Sequence, residues 1–296
     1  MDLRHLRYFV VVAEELHFTR AAQRIGIAQP PLTSQIKALE RDLGVQLFDR
    51  QPGRVSLTVP GKVYLEEARA ILEQVKKAGL RCQLSAQGKV GRLAIGFTES
   101  ASYREEVTWA LHEFRSLYPY IEISLEEHRT GPLMDTLRQG RIDLAFVRPP
   151  VDEDDAIAFL LMSTEPMVVA VPKGHLLGKR KSVRLVELRD ELFVLYARTT
   201  RSGLPEKVLS ACEAAGFSPK VVQFAPQISS TINLVAGGLG ISIVPSCMRK
   251  SRAEDVRYLA IQGGQLTASL GLAHRVSGIS PTAQNFVDLV RKKSAR

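Results

Sequence analysis

Between Phe18 and Gly44 the apolar positions build two short helices in quick succession. Ala21, Ala22 and Ile25 share one side of the first, and Thr19 offers a hydroxyl as its N-cap. Gly26 ends it, because glycine enters the left-handed conformation without a Cβ clash. Pro30 and Pro31 then fit the first turn of a second helix, where missing N–H groups cost nothing. Leu32, Ile36, Leu39 and Leu43 line one side of that helix up to Gly44. Two short helices joined by a tight glycine turn make a helix-turn-helix. The other side of the second helix offers Gln29, Thr33, Ser34 and Lys37 toward its N-terminal end, the end that enters a major groove in this motif.

The flanking patterns complete a small domain. Leu3, Leu6, Tyr8, Phe9, Val10, Val12 and Ala13 give a helix apolar over a wide face, which packs beneath the helix pair. Leu16 and Phe18 close that core. After Gly44, Val45, Leu47 and Phe48 lead into a Pro52-Gly53 turn, and Val55 and Leu57 alternate with Arg54 and Ser56. This is a hairpin or wing, with Arg50 and Arg54 flanking its tip. Thr58 caps a long helix without further proline from Gly61 to Gly88. Tyr64, Ala68, Ile71, Val75, Ala78 and Cys82 form a heptad seam on it, which predicts pairing with a second chain.

Beyond Gly88 the period alternates between strand and helix. Arg92–Phe97, Ile121–Leu125 and Ile142–Val147 read as strands, and Glu105–Leu117 as an amphipathic helix. Leu133, Met134 and Leu137 lie on a further helix ended by Gly140. The spacing implies a parallel sheet with crossover helices. Leu137–Pro149 and Leu234–Pro245 echo one another: helix end, glycine, turn, apolar strand, proline. Between them lie Met167–Pro172, a helix around Pro205–Ala215 and the strand Lys220–Phe224. Thr267–Ala273 and Pro281–Arg291 follow as strand and closing helix.

Composition narrows the class. The chain has 296 residues, 45% hydrophobic and 24% charged, a globular make-up with room for two or three cores. No apolar run reaches membrane-spanning length, and the start lacks a signal-peptide core, so a cytoplasmic protein is expected. Net charge is +9, and Phe18 to Lys62 carries seven basic residues against three acidic ones, which suits phosphate contact. Cys82, Cys212 and Cys247 are not in C-x-x-C spacing and read as free thiols. The histidines show no ligand-pair spacing, and nucleophile-elbow, zinc-protease and P-loop signatures are absent. Neither cofactor, metal nor catalytic residue is expected, and the α/β region reads as binding something. The acidic loop Val151–Asp155 reads as a solvated surface.

The N-terminal stretch Phe18–Arg50, with the following VSLTVPG, resembles the DNA-binding domain of LysR-type transcriptional regulators over about the first 62 residues. The helix pair, the Leu-Phe-x-Arg ending and the Leu-Thr-x-x-Gly segment occur in the family's order. Ser34 departs from it where many members carry Arg, and Pro60 where Ala is usual. The resemblance implies a winged helix-turn-helix at 1–59, a dimerisation helix at 60–88, and a two-lobed effector domain at 89–296 similar to type 2 periplasmic binding proteins. Lobe 1 is then about 89–162 with 266–296, and lobe 2 about 163–265. It implies a DNA face of Phe18, Thr19, Arg20, Gln29, Pro30, Pro31, Thr33, Ser34, Lys37, Arg50 and Arg54. The implied partners are double-stranded DNA, RNA polymerase, a small organic anion and further copies of the chain, as dimer or tetramer.

In open α/β sheets ligands sit beyond the carboxyl ends of strands. Thr98, Ser100, Ser102, Thr130 and Arg148 follow strands of the first half, and Thr199, Thr200 and Gln227 follow strands of the second. Hydroxyls beside helix starts suit a carboxylate, and the branch of the family most resembled governs aromatic-acid catabolism. A solute-binding protein or enzyme with an accessory winged helix is the alternative. The missing catalytic motifs and signal peptide count against it.

Overall fold

The computed structural model describes residues 2–51, 54–151, 155–196, 203–263 and 266–294, in two compact units, 1–84 and 85–296. In the first, α1 (Leu3–Glu15) starts at Asp2, whose carboxylate accepts from the N–H groups of Arg4 and His5. Leu16 ends it in the left-handed conformation (φ 46°). His17 follows extended, so α2 (Phe18–Ile25) starts one residue earlier than the Thr19 cap would place it. His17 is the N-cap, its Nδ1 accepting from Arg20 N at 3.4 Å, and Thr19 lies inside the first turn. Gly26 (φ +79°) turns the chain into α3 (Gln29–Leu43), with Pro30 and Pro31 in its first turn.

Phe9, Val12, Ala21, Leu32, Ile36 and Leu39 are buried in one core with Phe48. Each large side chain contributes roughly 1.5–3 kcal/mol by leaving water. The wing is β1 (Phe48–Gln51) paired antiparallel with β2 (Arg54–Leu57). The Pro52-Gly53 turn lies outside the described residues. The 28-residue α4 (Val59–Ala86) is capped by Thr58, whose hydroxyl accepts from Gly61 N at 3.0 Å. The expected seam divides. Ala68 is buried in the first unit's own core, and Tyr64 packs on Phe9 with ring centroids 5.0 Å apart. Ile71 and Val75 remain 40% and 38% exposed.

The second unit opens with β3 (Gly91–Phe97), α5 (Glu99–Ser102), α6 (Glu105–Leu117), β4 (Ile121–Glu127), α7 (Thr130–Arg138) and β5 (Leu144–Val147). β3 pairs in parallel with both β4 and β5. The 16-residue β6 (Ile157–Pro172) follows, then β7 (Ser182–Val183), β8 (Leu192–Tyr196), α8 (Leu204–Ala214), β9 (Lys220–Ala225) and α9 (Ile228–Ala236). β10 (Ser242–Pro245), β11 (Val256–Ile261), β12 (Thr267–Arg275) and α10 (Pro281–Ser294) complete it.

The main sheet is mixed rather than parallel, in the order β4-β3-β5-β12-β6-β11-β7. β12 runs antiparallel between β5 and β6. The first ten residues of β6 pair with β12, and its remainder pairs with β10 and β11. One strand therefore serves two cores. One core holds Leu93, Phe114, Phe146, Leu270 and Phe286, and the other holds Val169, Phe193, Val208, Ile232 and Leu266. The two lobes meet where the chain crosses between those cores. Among the described residues no helix is long and apolar enough to cross a membrane.

Candidate functional site

Two surfaces gather the residues singled out from the sequence. On the first unit, Gln29, Pro30, Pro31, Ser34 and Lys37 are exposed along the start of α3. Thr33 donates its hydroxyl hydrogen back to Gln29 O (3.1 Å), and Thr19 Oγ1 lies 3.5 Å from Gln29 Oε1. Only the Thr19 contact reaches the Gln29 side-chain amide, and that side chain stays exposed. Three of the expected contacts are otherwise engaged. Phe18 is buried against Phe48, so it offers only backbone. Arg20 folds back on Glu15 O at 2.7 Å. Arg50 pairs with Glu40 at 2.8 Å and lies 4.9 Å over the Phe18 ring. Glu40 also accepts from Leu47 N and Phe48 N, so Arg50 locks the wing and its charge is largely compensated. Arg54 is exposed on the wing.

The second surface is a cavity of about 410 Å³ between the lobes, in the range that holds a small ligand. Thr98, Ser100 and Arg148 line it beyond β3 and β5, and Thr130 and Gly131 line it at the start of α7. Tyr196, Gly203, Leu204, Gln227 and Ile228 close it from the other lobe. Arg148 is 1% exposed. Its Nε donates to Ser100 Oγ at 2.8 Å, and its Nη2 donates to Ser100 O and to Glu165 Oε1 at 3.0 and 2.8 Å. Its Nη1 has no hydrogen-bond partner, and neither do Thr98 Oγ1 and Tyr196 OH. Burial pushes the Tyr196 phenol far above its ordinary value, so it remains a neutral donor. Unmet buried donors cost about 1–3 kcal/mol each. An acceptor placed among these three removes that cost.

Glu165 sits on β6 at the crossing between lobes and is 4% exposed. Besides Arg148 it accepts from Ser246 Oγ (2.9 Å) and Cys247 N (2.6 Å), with Arg104 Nη1 at 3.4 Å. Burial by itself raises its pKa; the Arg148 charge, the Ser246 hydroxyl and Arg104 outweigh this and hold it below the ordinary carboxylate value. Arg148 therefore carries its own buried counter-ion and is not a free charge at the strand end. Burial pushes the Cys247 thiol up to about 12, and that of Cys212 to about 11, so both stay protonated.

The lobes also touch directly across the cavity. Glu99 receives the N–H groups of Ile228 and Ser229 at 2.7 and 3.0 Å. Gln227 donates to Glu127 Oε1 at 2.7 Å, and Arg129 donates to Pro226 O at 2.8 Å. Gln227 thus lines the cavity but has its amide engaged. Ser102 does not line it; its hydroxyl donates to Glu99 O at 2.7 Å. Thr199, Thr200 and the neighbouring Arg201 lie outside the described residues. Glu99, Glu127, Arg129 and Glu165 were not singled out by sequence, since each acts through a partner distant along the chain.

A winged helix-turn-helix followed by a two-lobed α/β ligand cavity defines a DNA-binding regulator that answers to a small molecule. Residues 3–62 match the bacterial regulatory helix-turn-helix of the lysR family, and residues 86–295 match the LysR substrate binding domain. The chain is 36% identical to the HTH-type transcriptional regulator AlsR of Bacillus subtilis (strain 168), over all of this chain and 97% of that protein. It resembles full-length CbnR complexed with its target DNA, at TM-score 0.85 and 28% identity, over 99% of this chain and all of the other. It also resembles the BenM effector binding domain with its effector benzoate, at TM-score 0.61 and 26% identity, over 69% of this chain and 92% of that domain. The chain belongs to the LysR family of transcriptional regulators, and its role is DNA-binding regulation rather than catalysis.

Proposed function

We propose that the protein reads an operator through α3 and the wing, and that a small organic carboxylate, of the aromatic-acid type, governs its activity from the inter-lobe cavity. It works in the cytoplasm as a dimer or tetramer joined through α4, with RNA polymerase as the downstream partner. The domain limits are those set out above, with the DNA-reading part ending near residue 59 and the effector part beginning near 89. The observation that carries the effector reading is the convergence of three unpartnered buried donors on one cavity: Arg148 Nη1, Thr98 Oγ1 and Tyr196 OH. A carboxylate supplies the acceptors they lack. The benzoate-bound BenM domain and the DNA-bound CbnR support the two halves of the reading.

On DNA, Gln29 and Thr33 reach base edges, Ser34 assists, and Lys37 and Arg54 meet phosphates. Gln29→Ala should cost roughly 1–3 kcal/mol at the operator and relax preference at one base pair. Lys37→Ala should instead weaken all sequences alike and lower the salt slope of binding by about 1. Footprints and salt titrations on the promoter of a divergent neighbouring gene check both. Unchanged footprints for the two variants would remove the recognition face from α3.

In the cavity, Thr98→Val keeps shape but deletes an unpartnered hydroxyl. Folding stability should hold or rise slightly, because the buried group was unsatisfied, while benzoate affinity should fall about tenfold. Calorimetry that finds benzoate binding untouched would place the ligand elsewhere.

A further inference from the structure

The first turns of three helices line the inter-lobe cavity, α7, α8 and α9, and the one at α9 is occupied. Both α7 and α9 are nine-residue helices whose first turns line it. Such termini attract anions, because their first N–H groups lack helical partners and the helix dipole adds positive charge. At α7 no side chain caps the terminus. The three unpartnered buried donors line the same cavity. At α9 the position is taken. Glu99, on the opposite lobe, places one carboxylate oxygen 2.7 Å from Ile228 N and the other 3.0 Å from Ser229 N. This is the two-point geometry by which a ligand carboxylate would bind there.

A second acid reinforces that wall. Glu127 lines the cavity and accepts from Gln227, the residue preceding α9. Burial and then the neighbouring Glu99 charge push its carboxyl above the ordinary value. Two carboxylates, Glu99 and Glu127, thus stand beside the start of α9, with Arg129 held on Pro226 O next to them. Arg148 differs in kind: its guanidinium is paired with Glu165, yet Nη1 still carries an unused N–H. The three donors of the lining lack acceptors, whereas the start of α9 is already supplied with one.

We infer that Glu99 fills the anion position at the start of α9, so that the cavity takes an effector with one carboxylate and an uncharged remainder, and rejects dicarboxylates. The inference deepens the proposed effector reading and rests on it. A dicarboxylate entering the present cavity would have to displace Glu99 from α9 or set its own charge against Glu99 and Glu127. A monocarboxylate satisfies the unpartnered donors and leaves the Glu99 contact, which ties the lobes together, in place.

The test uses the full-length protein and paired probes that differ only in the second charge: hexanoate against adipate, and benzoate against terephthalate. Calorimetry on the wild type should show a monocarboxylate of a pair binding at least about tenfold tighter than its dicarboxylate partner. Glu99→Ser frees Ile228 N and Ser229 N, and should raise adipate affinity by about tenfold while changing hexanoate far less. Circular dichroism and the thermal midpoint establish that the variant is folded. Should Glu99→Ser not fold, Glu99→Gln takes its place, because it removes the charge at unchanged length. Wild-type binding of adipate as tight as hexanoate overturns the inference and leaves the carboxylate reading standing. A folded variant with no gain for adipate overturns it as well. If none of the four acids binds the wild type, the effector reading and this inference fall together.

Discussion

Glu165→Gln should destabilise the effector-binding unit by about 3 kcal/mol, lowering its thermal midpoint by roughly 10 °C. The carboxylate accepts hydrogen bonds from Arg148, Ser246 and Cys247 N, and Arg104 pairs with it at 3.4 Å. An amide in its place must turn its NH2 toward donors on one side or the other, leaving at least one buried donor opposed. It also leaves Arg148 charged and 1% exposed without a counter-ion. The double replacement Arg148→Met with Glu165→Leu should cost less than the single one, because removing both charges removes the need of each for the other.

The pH dependence follows from the same pair. The folded-state value of Glu165 lies below its ordinary 4.5, so its contribution is fully present at neutral pH. It fades as pH falls below the ordinary carboxylate range toward the lowered folded value. Chemical denaturation of wild type between neutrality and strongly acid conditions should show this loss, and Glu165→Gln should flatten it. A single variant within about 1 kcal/mol of wild type, or a double variant worse than it, would show that the pair does not hold the strand crossing.

What could be read from the sequence was what is local. Glu105–Leu117 is exact in its bounds, because Val107, Ala110, Leu111 and Phe114 keep one helical period and Pro119 stands just beyond. The helix-turn-helix was legible for the same reason, although the cap passed from Thr19 to His17 when Leu16 closed α1 in the left-handed conformation. β6 was seen only as Met167–Pro172. Its first ten residues pair with β12 and belong to a different core, so no single alternation runs through all sixteen. Likewise the parallel halves were visible, but not the antiparallel β12 inserted between β5 and β6.

The cavity was legible in outline and opaque in its electrostatics. Strand ends followed by hydroxyls pointed to Thr98, Ser100 and Thr130, all of which line it. Nothing local distinguishes Glu99, which looks like an ordinary acidic residue in the first turn of its own helix. Its partners lie 129 and 130 residues further on. Glu165 and Arg148 are just 17 residues apart, but their pairing depends on β5 and β6 lying on either side of β12. Such contacts are fixed by topology, which single-chain periodicity does not encode.

Replacing both Ile71 and Val75 with Glu should convert the protein to monomers and weaken operator binding by about 100-fold or more. The heptad reading placed six residues on one seam, and the fold assigns the first two differently. Tyr64 and Ala68 pack on α1 and the wing's base within the same unit. Ile71, Val75, Ala78 and Cys82 follow at heptad spacing, and from Glu73 to Gln83 the helix is exposed all round. A helix of 28 residues is roughly 42 Å long, so about half its length carries apolar side chains that its own unit leaves uncovered. Two such helices pairing along this line would bring two α3 elements onto one operator. Each would then bind at the effective concentration set by the other, which is the source of the large expected loss. The charges should act on assembly and not on folding, since Ile71 and Val75 lie outside the buried core of the first unit. Light scattering gives the mass, and titration of a two-half-site operator gives the affinity. An unchanged mass in the double variant would move the interface off α4, and a monomer with full operator affinity would show that one copy suffices on DNA.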